Sequence, residues 1–264
     1  MKYLKTLAVI GLISCVLVYV VLNAIWVGKL VRYCEKQDVK AVQEMLDSNV
    51  IYRINGSTWL HFPSALYTNK TPLVAACETN NLELISMLID AGANPNKRCV
   101  GKNGMTVPII SALENAESPE IKEIVQCLIT AGADPDYCYY EGCGSLMVIS
   151  WTSVFVVNED ENVVGVDTEF AEALSESYKI ALKQATNKSP LDDRDRTPLH
   201  WAAYMCNEPL VRFLVEEQGA NIQAEDMDGL TPVQFCEEDR SEESPIEAEA
   251  RDSMISLLRR YGGS

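Results

Sequence analysis

The sequence predicts an all-α solenoid of stacked helix-turn-helix units with short loop or β-hairpin fingers, preceded by an apolar amino-terminal helix. Three observations predict it. The phrase Arg196-Thr197-Pro198-Leu199-His200-Trp201-Ala202-Ala203 opens a unit that runs through Leu210-Val211-Arg212-Phe213-Leu214 to Gly219-Ala220-Asn221, and Thr231-Pro232 reopens it 34 residues after Thr197-Pro198. A fixed period of this size means stacked helical hairpins rather than one closed core. Residues 6–28 lie outside that period and contain no charged side chain.

Taken in order, the first unit is half-degenerate, with Asp38 to Leu46 as its second helix. A full copy follows, from Thr71-Pro72-Leu73-Val74-Ala75-Ala76 through Leu82 to Ile89 and on to Gly92-Ala93-Asn94. A third opens at Thr106-Val107-Pro108-Ile109, with one residue inserted before the Pro, and closes at Gly132-Ala133-Asp134. The phrase is lost between 143 and 190, where two helix-length segments remain, Leu146 to Val157 and Phe170 to Thr186. This reads as a degenerate fourth unit carrying an acidic insertion at 158–162. The last unit, from Asp228-Gly229-Leu230-Thr231-Pro232, carries a second acidic insertion at 237–249 before a closing helix at Ser253 to Arg260.

Each position of the phrase has a physical job. Pro at the first helical position loses no hydrogen bond, and the Thr before it can cap orphan amides. Ala202 and Ala203 let helices approach closely, while Leu199, Val211 and Leu214 fill the space between units. Gly92, Gly132 and Gly219 stand where the second helix stops and a left-handed backbone is favoured.

These residues, Thr-Pro-Leu-His-x-Ala at the start and Gly-Ala-x-x-Asn near the end, resemble the ankyrin-repeat family. The resemblance covers most of 33–262, as about six units with the first, fourth and last degenerate. It implies a scaffold for protein partners, with no catalytic residues, cofactor, metal or small-molecule substrate. His200 is expected to bond between neighbouring repeat loops, as the family histidine does.

Two domains are expected, a membrane anchor at 1–32 and the repeats at 33–264. The 23 residues from Thr6 to Gly28 can cross ~30 Å of hydrocarbon as a helix. Leu12-Ile13-Ser14-Cys15 also fits a bacterial lipoprotein box, in which Cys15 would be lipidated; the long apolar run beyond Cys15 favours an uncleaved anchor instead. Basic residues flank the run on both sides, Lys2 and Lys5 before it and Lys29 and Arg32 after it, so the charge rule leaves orientation open. The general habit of such early segments places the repeats in the periplasm, tethered to a bacterial inner membrane.

The chain holds 38 acidic and 22 basic residues, and four of the basic ones and no acid lie in the first 32. The repeat region therefore repels nucleic acid and anionic lipid, and speeds encounter with a basic protein. Of nine cysteines, Cys77, Cys127, Cys206 and Cys236 fall on helix positions that pack inside the stack. Cys99, Cys138 and Cys143 fall in loops, where a disulfide from Cys99 to either of the others suits an exported protein. No nucleophile elbow, phosphate-cradling loop or paired metal-ligand motif is present.

Binding remains, and the repeat frame gives its place. The residue after the His position points into the concave face, which selects Ala75, Ser111, Trp201 and Phe235. Trp201 and Phe235 form a candidate anchor pair, and packing beneath the acidic insertion is the competing reading. Loop tips add Tyr137, Tyr139, Tyr140 and Glu141, then Asp192, Asp193 and Asp195, then Asp226 and Asp228. For the aspartates, turn formation and capping is the alternative. A membrane-anchored acidic repeat protein resembles the immunity proteins paired with type VI secretion effectors, some of which face lipases or cell-wall hydrolases. A scaffold recruiting a resident enzyme is the other class.

Overall fold

In the computed structural model, the described residues are 21–22, 25–48, 54–55, 70–101, 104–137, 144–160, 162–238 and 243–263. They fall into two compact units, one ending at Pro108 and the other beginning at Ile109.

In the first unit, residues 25–35 are helical. Helix α1 (Val39–Asp47), α2 (Pro72–Glu78) and α3 (Leu82–Asp90) follow, then a hairpin of β1 (Cys99–Gly101) and β2 (Gly104–Thr106). Short polar side chains start the helices as the sequence requires. Asp38 accepts from the Ala41 amide at 3.0 Å, Thr71 from Val74 at 3.2 Å, and Asn81 from Leu84 at 3.0 Å. Pro72 occupies the first turn of α2, and Ala75 and Ala76 are fully buried there. Leu84, Ile85 and Leu88 recur on the buried face of α3. Gly92 then takes the left-handed turn at φ 88°.

The start of the chain differs from expectation in one respect that the structure describes. Val27, Leu30, Val31 and Cys34 are buried, so the end of the charge-free run continues as a helix with a packed face, and the boundary drawn at 32 falls inside that helix. Burial pushes the Cys34 thiol up to about 12. Among the described residues no helix is long and apolar enough to cross a membrane. Cys15, and the run 6–28 apart from 21–22 and 25–28, lie outside the described residues.

The second unit contains α4 (Pro108–Glu114), α5 (Ile121–Thr130), α6 (Ser145–Trp151), β3 (Phe155–Val157), β4 (Val163–Val166), α7 (Thr168–Gln184), α8 (Pro198–Tyr204), α9 (Glu208–Arg212), α10 (Pro232–Glu237) and α11 (Pro245–Arg260). First helices α6, α8 and α10 pack in sequence, and second helices α5, α7 and α9 form a parallel row beside them. Within these rows α6 packs on α7 and α8 on α9.

Three details depart from the expected elements. The segment 146–157 is not one helix: α6 ends at Trp151, and Phe155–Val157 pairs antiparallel with Val163–Val166. The β-branched run on each side of the acidic turn at 158–162 favours a hairpin over a helix. The closing helix begins at Pro245 rather than Ser253, because Ser244 and Glu247 form a reciprocal capping box, Ser244 N donating to Glu247 Oε2 at 2.9 Å. Finally, α9 continues as a π-helical turn over Phe213–Glu217. The second helix capped by Asn81 reaches its closing glycine at 92, whereas the one capped by Asn207 reaches its own at 219, one residue further. The π turn absorbs that extra residue while keeping Leu210, Val211, Phe213 and Leu214 buried.

Cys77, Cys206 and Cys236 are buried as expected, while Cys127 is half-buried. Cys99 is buried, and burial pushes its titration up, against hydrogen bonding to Thr71. Cys138 and Cys143 lie outside the described residues.

Candidate functional site

The site is built on α8. Its Thr197 amide donates to His200 Nδ1 at 3.1 Å, which fixes the other ring nitrogen as the protonated one, and Nε2 lies 3.0 Å from the Leu230 carbonyl. His200 thus ties its own repeat to the next loop, as the sequence leads one to expect. Burial lowers its titration below the ordinary 6.5, opposed by the Leu230 carbonyl, Asp226 and Asp192.

With α8 held, Trp201 and Tyr204 lie one turn apart on it. Trp201 meets Phe235 of α10 edge-on at 5.5 Å and Trp151 at the end of α6 at 5.9 Å. Tyr204 lies 5.1 Å from Phe235 and 6.2 Å from Trp201. The result is an aromatic cluster drawn from three successive first helices. Two arginines stack on it. Arg196 lies 4.5 Å over Trp201 and 5.5 Å over Phe235, and Arg251 of α11 lies 4.2 Å over Tyr204.

A buried carboxylate organises one side. Asp192 Oδ1 accepts from the amides of Arg194 and Arg196, both at 2.9 Å. Its Oδ2 accepts from Arg196 Nε at 2.7 Å and from the Trp201 indole at 2.9 Å. One side chain therefore folds the loop and aims both a cation and an aromatic ring. On the other side Arg251, 5% exposed, pairs with Glu243 at 2.6 Å. Arg251, held by this carboxylate of the acidic insertion, thus covers the Tyr204 end of the cluster, and α11 also packs on β4.

The sequence-selected residues divide accordingly. Trp201 and Phe235 are brought together, but Phe235 is only 8% exposed because Trp201, Tyr204, His200 and Arg196 enclose it; it supports the cluster instead of presenting an open ring. Trp201 remains half-exposed. Asp192 and Asp226 are buried, and Asp226 is spent on the Asp228 and Leu230 amides at 2.9 Å each, so both build turns. Asp228 pairs with Arg194 of the preceding loop. Asp193 and Asp195 are exposed, Asp195 in the left-handed region at φ 59°. Tyr137 is half-buried, and Tyr139, Tyr140 and Glu141 lie outside the described residues. Ala75 and Ser111 are buried.

Trp151, Tyr204, Arg196 and Arg251 are the residues that sequence reading misses. Trp151 and Tyr204 occupy the same place, the seventh residue of α6 and of α8, and that equivalence was available from the repeat frame.

Comparison with known proteins settles the architecture. The family described as ankyrin repeats (3 copies) matches residues 30–138, and the single ankyrin repeat matches 194–227. The chain belongs to the ankyrin-repeat family. Ankyrin repeats generally mediate protein–protein interaction, and the family is typically a non-catalytic module. Among curated proteins, the chain is similar to the ankyrin repeat, SAM and basic leucine zipper domain-containing protein 1 of Neofelis nebulosa, 30% identical over 99 residues, and of Carollia perspicillata, 29% identical over 99. Each match covers 38% of this chain and 18% of the relative.

Proposed function

We propose that this chain binds a protein partner through the half-exposed aromatic surface of Trp151, Trp201 and Tyr204, with Arg196 stacked beside it. The observation that carries the reading is the fixing of Trp201 and Arg196 by the buried Asp192 carboxylate at 2.9 and 2.7 Å. Preset aromatic and guanidinium groups lose little freedom on binding, and Trp, Tyr and Arg dominate interface energetics. The exposed carboxylates of Asp193 and Asp195 and the chain's net charge of −16 favour a partner with a basic surface.

On this reading the charge-free run 6–28 tethers the repeats to a bacterial inner membrane, with the repeats on its periplasmic side. The biological role we favour is immunity, in which the aromatic surface covers the active-site mouth of a secreted antibacterial lipase or hydrolase. Recruitment of a resident enzyme to the membrane is the second class, and the acidic charge serves both.

Capture from membranes with the full chain, tagged at its carboxyl end, tests the surface. One dominant partner, retained at moderate salt and lost with Trp151→Ala plus Trp201→Ala, is the expected result. A partner retained by that double variant places the interface elsewhere. Protection of growing cells against a co-expressed lipase or hydrolase separates immunity from recruitment, and retention of the chain in membranes after alkaline extraction tests the tether.

A further inference from the structure

A cavity of about 280 Å³ opens in the second unit, away from the aromatic surface. Tyr178 and Leu182 of α7 form one wall, Leu199 of α8 and Leu214 of the π turn another, and Lys188 and Pro190 lie on the strand of chain between. The closing turn Gln218–Asn221 completes it. Its volume lies just below the ~300 to 1,000 Å³ usual for small-molecule sites, enough for a ligand of roughly ten non-hydrogen atoms.

We propose that this cavity binds a small carboxylic acid with an apolar body, such as a short-chain or aryl acid. Three features select that chemistry. The walls are mostly apolar, through Leu182, Pro190, Pro198, Leu199 and Leu214, and so favour a hydrocarbon body. Among the described residues lining the space Lys188 is the one charged side chain, in a chain with 38 acidic residues, and the Asp136 carboxylate that feels its charge stands outside the wall. Its ammonium already donates to the Leu182 carbonyl, which holds it at the wall with two further N–H groups free for an anion. Tyr178 is 1% exposed and lines the space. A phenol at the wall can donate to a ligand oxygen. Burial also keeps that phenol protonated, hence a donor.

The existence of the cavity follows from the fold. It lies where the long α7 of the degenerate unit meets a repeat whose second helix carries an extra residue, so the two surfaces do not share the regular packing of identical repeats. A ligand there would bridge the two.

Titration of the full chain with sodium hexanoate, followed by saturation-transfer NMR, tests the proposal, with hexanol as the neutral probe. Wild type should bind hexanoate saturably and about tenfold more tightly than hexanol, the effect of one charge-assisted hydrogen bond. Lys188→Met, at an exposed position, should abolish that preference while leaving hexanol binding unchanged. Tyr178→Phe should weaken hexanoate severalfold, and Ala220→Leu, which fills the space, should block both probes. Absence of saturable hexanoate binding by wild type overturns the site. Hexanoate binding that is indifferent to Lys188→Met overturns the anionic class. Melting curves of each variant guard against misfolding, and Lys188→Met alone decides the matter should Ala220→Leu fail to fold.

Discussion

Asp192 is the residue on which most of the candidate site converges, because one buried carboxylate serves two backbone amides, a guanidinium and an indole. Replacing it with Ala strands these donors in a mostly buried setting, and we expect a loss of about 3 kcal/mol in urea unfolding. A midpoint unchanged from wild type would show that the loop holds itself. Leu199 and Leu214 are 1% and 4% exposed, so truncating either to Ala should cost ~2 to 5 kcal/mol. His200 makes a pH prediction with a definite sign. Its titration in the folded chain is lowered below the ordinary 6.5 by burial, opposed by the Leu230 carbonyl. The unfolded chain therefore takes up the proton first as pH falls. The stabilising contribution is present above pH 6.5 and is lost as pH drops towards the lowered folded value. Gln234 already plays the capping role in the next repeat, accepting from the Thr231 amide at 2.9 Å, so His200→Gln can keep the cap without the titration. Unfolding midpoints compared at pH 7 and 5.5 should fall for wild type and change less for the variant; equal falls would assign the acid sensitivity to other groups. The role of His200 was legible in the sequence because the repeat phrase fixes its neighbours. The burial of Asp192 was not, since its indole and guanidinium partners are chosen by tertiary approach and sequence spacing alone fits an exposed turn equally well.

At the scale of elements, the sequence is legible wherever local and tertiary preferences agree. Asn81 and Asn207, the Thr-Pro starts and the left-handed glycines at 92, 132 and 219 all do as their chemistry dictates. The degenerate unit is where reading failed. Helical length suggested one helix through Val157, but β-branched residues flanking a short acidic turn pair with each other as soon as Val163–Val166 is near enough. The closing helix was read short for a related reason: acidic composition at 237–249 looked like a loop, while the Ser244-Pro245-x-Glu247 start was the stronger signal. That cap makes a prediction for the element alone. Ser244→Ala removes the acceptor for the Glu247 amide, 3.3 Å away, and should cost about 1 kcal/mol. Because Arg251 lies in the same first turns and covers Tyr204 at 4.2 Å, the loss should appear as faster amide exchange over 247–252, with exchange at Leu257 and Leu258 little changed. Uniform acceleration along the helix would mean that it opens as one piece and that the cap does not act locally.

Over the whole molecule, charge and shape have separate tasks, and kinetics can tell them apart. The chain carries −16, so its attraction for a basic partner acts at a distance and is screened beyond roughly 8 Å at physiological salt. Long-range attraction raises the rate of encounter and leaves the lifetime of the complex nearly untouched. Trp201 acts only after contact, through buried area and the fixed Arg196 stack at 4.5 Å, so its loss should shorten the lifetime. For the captured partner we therefore expect association to slow about tenfold between 50 and 500 mM salt, with dissociation nearly constant. Trp201→Ala should do the reverse, accelerating dissociation while keeping the same salt dependence of association. Surface plasmon resonance on the full chain measures both rates. An association rate flat with salt would assign the acidic surface to solubility, whereas a Trp201→Ala complex with the wild-type lifetime would remove the aromatic cluster from the interface and leave the exposed loop carboxylates Asp193 and Asp195 as the surface to test next.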